Sequence, residues 1–224
     1  MFILGFDTSN SYSMVSISKN IDILYSKKDS NPNSQAENLL PMIEEALKSC
    51  SLWYDKLDYV AAINGPGSFT GIRIALAAAR GLSLASSNIK TVCVNNFQTI
   101  NFRARQQCKE FDLCAAFVNA YRDQLYMQLF TKKGEYGEPK LLLISEAKKY
   151  LESLKGNIVI SGSGIEQIYN TTSLPPKNII VLPRFSYPDA RFICRVAHQQ
   201  IVMDNVNENL EPLYIRAPDA KLPS

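Results

Sequence analysis

A glycine-rich loop is the segment of this sequence best suited to chemistry. Residues 65–71, Gly-Pro-Gly-Ser-Phe-Thr-Gly, stand between an apolar run and a long apolar helical pattern. Glycines between a strand and a helix allow backbone N–H groups to face an anion, so Gly65, Gly67 and Ser68 are candidates for a phosphate cradle. The Gly-Lys-Ser/Thr ending of a nucleotide P-loop is missing, so no lysine reaches the phosphates. The alternative is a tight turn in which Ser68 or Thr70 caps the helix.

An acidic turn near the N-terminus is the second candidate. Asp7, Thr8 and Ser9 follow an apolar run that predicts a buried strand. Their position resembles that at which sugar kinases and actin-like ATPases place a turn around nucleotide phosphates, with the aspartate near the metal. Those proteins usually have a glycine in the turn, whereas Ser9 and Asn10 carry side chains that hinder close backbone approach. Asp7 is therefore either a Mg²⁺-site acid or an exposed acid at a strand end.

Histidine is scarce, and His198 is the one residue of this type among 224. Zinc and hydrolytic sites mostly use imidazole, so a two-histidine metal site within the chain is excluded. His198 lies among apolar residues at helical spacing, and no G-x-S-x-G sequence accompanies it. A structural histidine is favoured over a protease triad. Five cysteines without a C-x-x-C pair indicate reduced thiols.

The charge of the chain does not predict nucleic-acid binding. Lys+Arg number 24 and Asp+Glu 21, which gives a net charge of +3. The lysine pairs at 27–28, 132–133 and 148–149 are dispersed along the chain rather than gathered in one block. No apolar window reaches the roughly 18 residues of a membrane span, and the N-terminus lacks the basic region of a secretory signal. We therefore expect a cytoplasmic protein.

Hydrophobic periodicity predicts strands and helices that would position these residues. In the first half they are strands at 2–7, 12–18 and 21–26, a helix at 34–50, a strand at 59–63, a helix from 72 to about 87, and a strand at 92–94. The first three strands form an antiparallel meander, and the whole indicates an α/β fold with a mixed sheet. Ser34 and Glu37 predict a capping box. Pro41 predicts either a kink or a helix that begins near it.

After a polar stretch at 101–112, the same order of elements begins again. The second half has strands at 113–118, 124–130 and 141–144, a turn at 134–139, a helix at 145–154, a strand at 157–161 and a helix at 189–203. This weak duplication predicts two similar lobes, residues 1–105 and 106–224. The tail from residue 211 is interrupted by prolines, and we expect it to pack back on the first lobe.

Four segments together resemble the bacterial TsaB (YeaZ) family. They are Phe-Asp-Thr-Ser at 6–9, Gln-Ala-Glu-Asn-Leu-Leu-Pro-Met-Ile at 35–43, Asn-Gly-Pro-Gly-Ser-Phe-Thr-Gly-Ile-Arg-Ile at 64–74 and Pro-Leu-Tyr-Ile-Arg at 212–216. The resemblance implies an actin-like (ASKHA, ribonuclease H-like) fold, in which each lobe is a mixed five-stranded sheet flanked by helices. It also implies a role in threonylcarbamoylation of the adenosine beside the tRNA anticodon. Family members are non-catalytic partners of the TsaD transferase and work with the ATPase TsaE.

Two positions depart from the family pattern. Family members commonly have a histidine where Gln35 stands, and often an aspartate where Asn119 stands. In TsaD-like proteins, histidines on the first helix bind the metal, and this chain has none there. The resemblance therefore implies that this chain has neither a metal site nor catalytic residues. The resemblance leaves open whether ATP or ADP binds at the lobe cleft or at a partner interface. The candidate nucleotide-binding residues are Asp7, Thr8, Ser9, Gly65, Gly67 and Ser68.

The helices at 36–50 and 72–87 are the predicted TsaD-binding surface. The second is rich in alanine, and Gly81 would allow a second helix to approach closely. The candidate contacts are Glu37, Leu40, Ile43, Leu47, Arg73, Leu76, Ala77, Arg80 and Leu84. Without TsaD the same surface would form a homodimer, and tRNA would be reached indirectly through the complex. Complete burial of both helices within one lobe is the alternative.

Two other classes of function remain open at this point. One is an enzyme of the actin-like superfamily, either an ATP-dependent phosphotransferase or a metalloprotease-like protein. The other is a module that binds tRNA directly. The missing metal ligands argue against the first, and the dispersed charge argues against the second.

Overall fold

The computed structural model describes residues 1–31, 34–169, 174–182 and 189–216. Its first sheet is built from five strands in the order β3-β2-β1-β4-β5. These strands are β1 (Phe2–Asp7), β2 (Ser13–Lys19), β3 (Asp22–Asp29), β4 (Tyr59–Ile63) and β5 (Lys90–Val94). Strands β1, β2 and β3 pair antiparallel, while β4 runs parallel to β1 and to β5. The predicted meander and mixed sheet are confirmed.

The second sheet repeats the topology of the first. Its strands are β6 (Leu113–Asn119), β7 (Gln124–Thr131), β8 (Gly134–Leu143), β9 (Ile158–Gly162) and β10 (Ile179–Val181). The order β10-β9-β6-β7-β8 is that of the first sheet read from the opposite edge, with an antiparallel β6-β7-β8 meander and parallel β9 and β10. Each of the two lobes is therefore a mixed five-stranded sheet flanked by helices, as the fold class requires.

Helices cover both faces of the first sheet. The helices of the chain are α1 (Gln35–Ser49), α2 (Phe69–Ala85), α3 (Asn96–Gln107), α4 (Ile144–Ser153), α5 (Ile165–Ile168) and α6 (Ala190–Val202), with a 3₁₀ turn at Tyr54–Lys56. Successive side chains of a strand point to opposite faces of its sheet. Leu4 and Phe6 accordingly join the core under α1 and α2, while Ile3 joins the core under α6. No helix within the described ranges is long and apolar enough to cross a membrane.

The second sheet is also covered on both faces. Phe117 and Leu125 pack in one core with the buried residues of α4 and α5, whereas Cys114 and Phe130 pack in another with Phe97 of α3. Helix α3 thus lies on the opposite face of the second sheet from α4.

Helix α3 is absent from the predicted elements, because residues 101–112 are a polar stretch without a clear apolar period. A capping box starts this helix, in which Asn95 accepts from the Gln98 N–H and the Gln98 side chain accepts from the Asn95 N–H. Asn-x-x-Gln is a recognised helix-start pattern, so the signal was present. The predicted turn at 134–139 was also wrong, because these residues belong to β8.

Helix α1 begins differently from the prediction. Ser34 does not cap it, because the Ser34 hydroxyl donates to the Asn31 carbonyl at 2.9 Å and accepts from the Asn38 amide at 3.0 Å. The capping box with Glu37 is therefore absent. Pro41 lies inside the helix, so the helix does not begin at the proline. Pro41 has no N–H and simply leaves one intrahelical hydrogen bond unmade.

Residues 207–216 pack along the first lobe and reach the second. The Cys93 N–H donates to the Asn207 carbonyl at 2.7 Å, and the Leu213 N–H donates to the Asn64 carbonyl at 2.8 Å. Arg216 then donates to the Ala120 carbonyl of the second lobe at 3.1 Å. We call residues 207–216 the C-terminal strap. Helix α6 and the strap lie on the first lobe, and α3 crosses residue 105. The division into 1–105 and 106–224 therefore stays a proposal. Residues 217–224 are outside the described part.

Candidate functional site

Ser68 caps α2 at the end of the glycine-rich loop. Its hydroxyl accepts a hydrogen bond from the Gly71 N–H at 3.3 Å, which satisfies one of the free donors at the helix start. The Ser68 N–H itself donates to the Ser9 carbonyl at 2.7 Å. The structure thus confirms Ser68 as the cap and shows that its amide is used within the protein.

The glycines of this loop make room for the turn at residues 7–9. A Cβ atom at Gly71 would collide with the carbonyl of Thr8, and one at Gly67 would lie 2.5 Å from the Ser9 carbonyl oxygen. The Thr8 hydroxyl donates to the Gly71 carbonyl at 2.6 Å, which locks the two segments together. Close backbone approach is a common reason for glycine, and here the approaching backbone is the protein's own. These contacts favour the turn-and-cap interpretation over a phosphate cradle.

Asp7 is completely buried rather than exposed at a strand end. Its carboxylate accepts from the Ser9 N–H at 2.6 Å and from the Asn10 side-chain amide at 3.1 Å. Burial raises the pKa of Asp7, since a carboxylate loses its hydration inside the protein. Across the residues that the structure describes, no three His, Cys, Asp or Glu side chains form a group that could hold a metal ion. The arrangement around Asp7 does not fit a Mg²⁺ site of the kinase type.

Asn96 joins the two segments from the start of α3. Its side-chain amide donates to the Ser9 hydroxyl at 3.0 Å and to the Pro66 carbonyl at 2.8 Å, and the residue is 1% exposed. The Asn96 N–H donates to the Gly65 carbonyl at 2.7 Å. Asn96 is not among the residues predicted from the sequence, and the signal that points to it is the Asn-x-x-Gln capping pattern that begins one residue earlier.

A cleft of about 500 Å³ lies beside the loop, between the lobes and the strap. Gly67 and Ser68 line this cleft, whereas Asp7, Thr8 and Ser9 are buried and Gly65 lies beneath Leu213 of the strap. The structure therefore separates the six candidate nucleotide-binding residues into two that a ligand could reach from this cleft and four that are enclosed by protein.

An aromatic and cationic stack closes one side of the cleft. The Phe69 and Tyr214 rings stack with centroids 5.3 Å apart, and the Arg73 guanidinium lies 3.7 Å from the Phe69 centroid. Arg73 also donates to the Tyr214 hydroxyl at 3.1 Å. Stacking and a cation over a ring each contribute about 0.5–1.5 kcal/mol. This stack fixes the strap to the start of α2.

The predicted partner contacts divide into exposed and buried residues. Ile43, Leu47 and Leu76 are at most 3% exposed and belong to the core under α1 and α2, so a partner does not reach them. The exposed residues are Glu37, Leu40, Arg73, Ala77, Arg80 and Leu84. Leu40 is 51% exposed and Leu84 is 86% exposed. These six are accessible, although Arg73 donates to Tyr214 and Arg80 donates to the Leu210 carbonyl, so both arginines are held by the strap.

Gln35 and Asn119, the two departures from the family pattern, both make hydrogen bonds within the protein. The Gln35 amide donates to the Asn10 carbonyl at 2.9 Å, which joins the start of α1 to the Asp7 turn. The Asn119 side chain accepts from the Tyr121 N–H at 2.9 Å. Of the two, Asn119 lines the cleft.

A protein-family model described as TsaD, tRNA N6-adenosine threonylcarbamoyltransferase, matches residues 32–187. Two TsaB proteins of Buchnera aphidicola, named as tRNA threonylcarbamoyladenosine biosynthesis proteins, are similar to the chain. The one from the Schizaphis graminum subspecies is 29% identical, over 85% of this chain and 90% of its own length. The one from the Baizongia pistaciae subspecies is 26% identical, over 95% of this chain and 97% of its own length. The solved structure of YeaZ from Pseudomonas aeruginosa matches with a TM-score of 0.78 and 22% identity, over 95% of this chain and 99% of that one.

The chain belongs to the TsaB (YeaZ) family. Members of this family named above take part in tRNA threonylcarbamoyladenosine biosynthesis, and so does this chain. A more distant solved structure, a putative N-acetylmannosamine kinase from Listeria monocytogenes, has a TM-score of 0.54 and 11% identity over 91% of this chain and 100% of that one. At that identity the likeness concerns the fold alone, which is the actin-like arrangement of two similar lobes.

Proposed function

We propose that the chain is a non-catalytic subunit that binds and activates a TsaD-type transferase and works with a TsaE-type ATPase. The observation that carries this proposal is the exposed surface of α1 and α2. We define the α1–α2 ridge as the exposed residues Leu40, Ala77, Gly81 and Leu84. Burying a fully exposed leucine contributes about 1.5–3 kcal/mol, so Leu40 and Leu84 favour a partner surface.

Gly81 supports a closely approaching partner. It lies in the interior of α2, where glycine destabilises a helix by about 0.5–1 kcal/mol relative to alanine. A Cβ atom at Gly81 would meet nothing within 4 Å. The fold of this chain therefore gives no packing reason for the missing side chain. A helix from a second protein, laid across Ala77 and Gly81, would use the space.

The enclosed Asp7 turn supports the non-catalytic part of the proposal. A metal-site acid must be open to its ion, whereas Asp7 is buried and engaged by Ser9 and Asn10. Without a partner, we expect the ridge to pair two copies of the chain, since exposed apolar surfaces tend to be covered. The five cysteines are free thiols, which is typical of the reducing cytoplasm.

Reconstitution of the reaction tests the proposal. Purified TsaD-type and TsaE-type proteins, together with an enzyme that makes the activated threonylcarbamoyl donor, are incubated with tRNA, threonine, bicarbonate and ATP. The incubation is carried out with and without this chain, and modified adenosine is measured by mass spectrometry. We expect modification to depend on the chain. Equal modification in its absence would overturn the assignment.

A ridge variant tests the binding surface. Ala77→Glu places a charge at the proposed contact, and we expect at least about a tenfold loss of affinity for the TsaD-type protein, or roughly 1.4 kcal/mol. The matched control is Ser145→Glu, which adds the same charge at an exposed position of α4. Binding is measured by co-purification and calorimetry, and thermal unfolding checks that both variants fold. Unchanged binding by Ala77→Glu would refute the surface.

A further inference from the structure

Helices α3 and α6 together carry a pronounced positive charge. Their sequences contain four arginines, Arg103, Arg105, Arg191 and Arg195, and no aspartate or glutamate. Because the net charge of the whole chain is +3, the remaining residues together have a net charge of −1. The small net charge of the protein therefore hides an uneven distribution.

The fold places α3 and α6 side by side. The Phe102 and Phe192 rings lie 6.1 Å apart between the two helices. The guanidinium groups of Arg103 and Arg195 lie 5.4 and 5.9 Å from the Phe192 centroid. Arg191 forms an ion pair with Asp189 at 2.5 Å, so this arginine adds little free charge. Arg103 lines a small pocket with Asn96 and Ser163, so the remaining positive charge of the two helices comes from Arg105 and Arg195.

A groove of about 820 Å³ beside these helices extends the positive surface to the β7–β8 turn. Arg105, Lys132 and Lys133 line it, and Glu135 is the acidic residue of the lining. Arg105 is held in place, because it donates to the Asn101 side chain at 3.2 Å and to the Thr131 carbonyl. Lys132 and Lys133 are exposed and form no ion pair with a described residue.

Amide side chains line the same groove. They are Gln98, Asn101, Gln199, Gln200, Asn205 and Asn207. An acidic peptide would offer carboxylates together with the N–H and C=O groups of its backbone. An RNA strand offers phosphates together with ribose hydroxyls and base edges, which both donate and accept hydrogen bonds. Cations beside amides suit either kind of polyanion, and the role of the chain in tRNA threonylcarbamoyladenosine biosynthesis favours RNA over an acidic protein.

We propose that the groove and the adjoining surface of α3 and α6, named here the α3–α6 face, bind the phosphate backbone of tRNA directly. This revises the expectation that tRNA is reached indirectly, since the lysine and arginine residues are dispersed along the sequence but gathered by the fold. Helix α6 covers the opposite face of the first sheet from α1 and α2. RNA on the α3–α6 face would thus leave the α1–α2 ridge free for a protein partner.

Binding of tRNA to the full chain alone tests this inference. Fluorescence anisotropy with a labelled tRNA transcript is measured from about 50 to 200 mM salt. The groove variant is Lys132→Gln with Lys133→Gln. The matched control is Lys148→Gln with Lys149→Gln, which removes the same charge from α4 on the opposite face of the second sheet.

We expect the groove variant to bind tRNA at least fivefold more weakly than the control. The slope of log K against log salt should fall by roughly 1.4–1.8, because each lost phosphate contact removes about 0.7–0.9. Equal weakening by the control variant, or no binding at the lowest salt, would overturn the inference. The inference would also be overturned if poly-glutamate displaced the labelled tRNA as strongly as RNA of equal charge does. The experiment uses no transferase, so its result is independent of the ridge proposal.

Discussion

Gly71 and Gly81, ten residues apart in one helix, lack side chains for opposite reasons. At Gly71 the carbonyl of Thr8 occupies the place of a Cβ atom, whereas at Gly81 nothing lies within 4 Å. The first glycine is required by the fold of this chain. The second has no such requirement, which is why it supports a contact with another molecule.

Replacing each glycine by alanine separates the two reasons. Gly71→Ala should lower the free energy of unfolding by about 3 kcal/mol or more, because the backbone of the Asp7 turn must move. Gly81→Ala, the matched control in the same helix, should raise it by about 0.5–1 kcal/mol. Urea unfolding measures both, at a protein concentration low enough for the chain to be a monomer. A similar change in the two variants would contradict the close packing of the Asp7 turn.

Asp7 should make stability depend on pH in an unusual direction. Its pKa in the folded protein is raised above the ordinary value of 3.8 by burial. The unfolded chain therefore ionises first as the pH rises, and the free energy of unfolding falls until the folded carboxyl also ionises. Each unit of separation between the two pKa values costs about 1.4 kcal/mol.

Asp7→Asn removes this titration while keeping an oxygen acceptor for the Ser9 N–H. We expect the variant to gain stability relative to the wild type between about pH 3 and pH 7, as measured by urea unfolding at both values. Asp22→Asn is the control, because Asp22 is exposed and should show no such gain. An equal difference from the wild type at the two pH values would contradict the buried-charge explanation.

At the scale of elements, strands were predicted best where the alternation of polar and apolar residues, or a continuous apolar run, was long. Strands β1, β2, β6 and β7 were found within about two residues of their bounds. Strand β10 has only three residues, of which one is exposed, so its pattern was too short to recognise. The predicted turn at 134–139 contains two glycines and a proline, and pairing with β7 overrides these turn signals.

The sequence predicted which segments form the candidate site, but not which of their residues contact each other. The glycine loop and the Asp7 turn were both identified, yet their direct packing joins residues about 60 positions apart and leaves no local pattern. Helical spacing likewise grouped Leu40 with Ile43 and Leu47, although Ile43 and Leu47 face the sheet while Leu40 is exposed. Periodicity identifies an apolar stripe, and only the packed sheet decides which part of it remains uncovered.

At the scale of the whole molecule, the α1–α2 ridge and helix α6 of the α3–α6 face lie on opposite faces of the first sheet. Residues more than about 7–10 Å apart with no shared partners usually act independently. Ala77→Glu should therefore weaken binding of the TsaD-type protein without changing tRNA affinity, and Lys132→Gln with Lys133→Gln should do the reverse. Calorimetry with each ligand measures this. A loss of both activities in either variant would show that the two surfaces are one.

The position of α6 also has a consequence during synthesis of the protein. The strands of the first sheet end at Val94, but the helix that covers one of its faces starts at Ala190. A ribosome adding roughly 5–20 residues per second needs about 5–20 s to make the intervening segment. For that time the Ile3 face of the nascent first lobe has no α6 to cover it. The N-terminal lobe is therefore completed last, by the end of the chain, and a chaperone that shields apolar strands would act on this stage of translation.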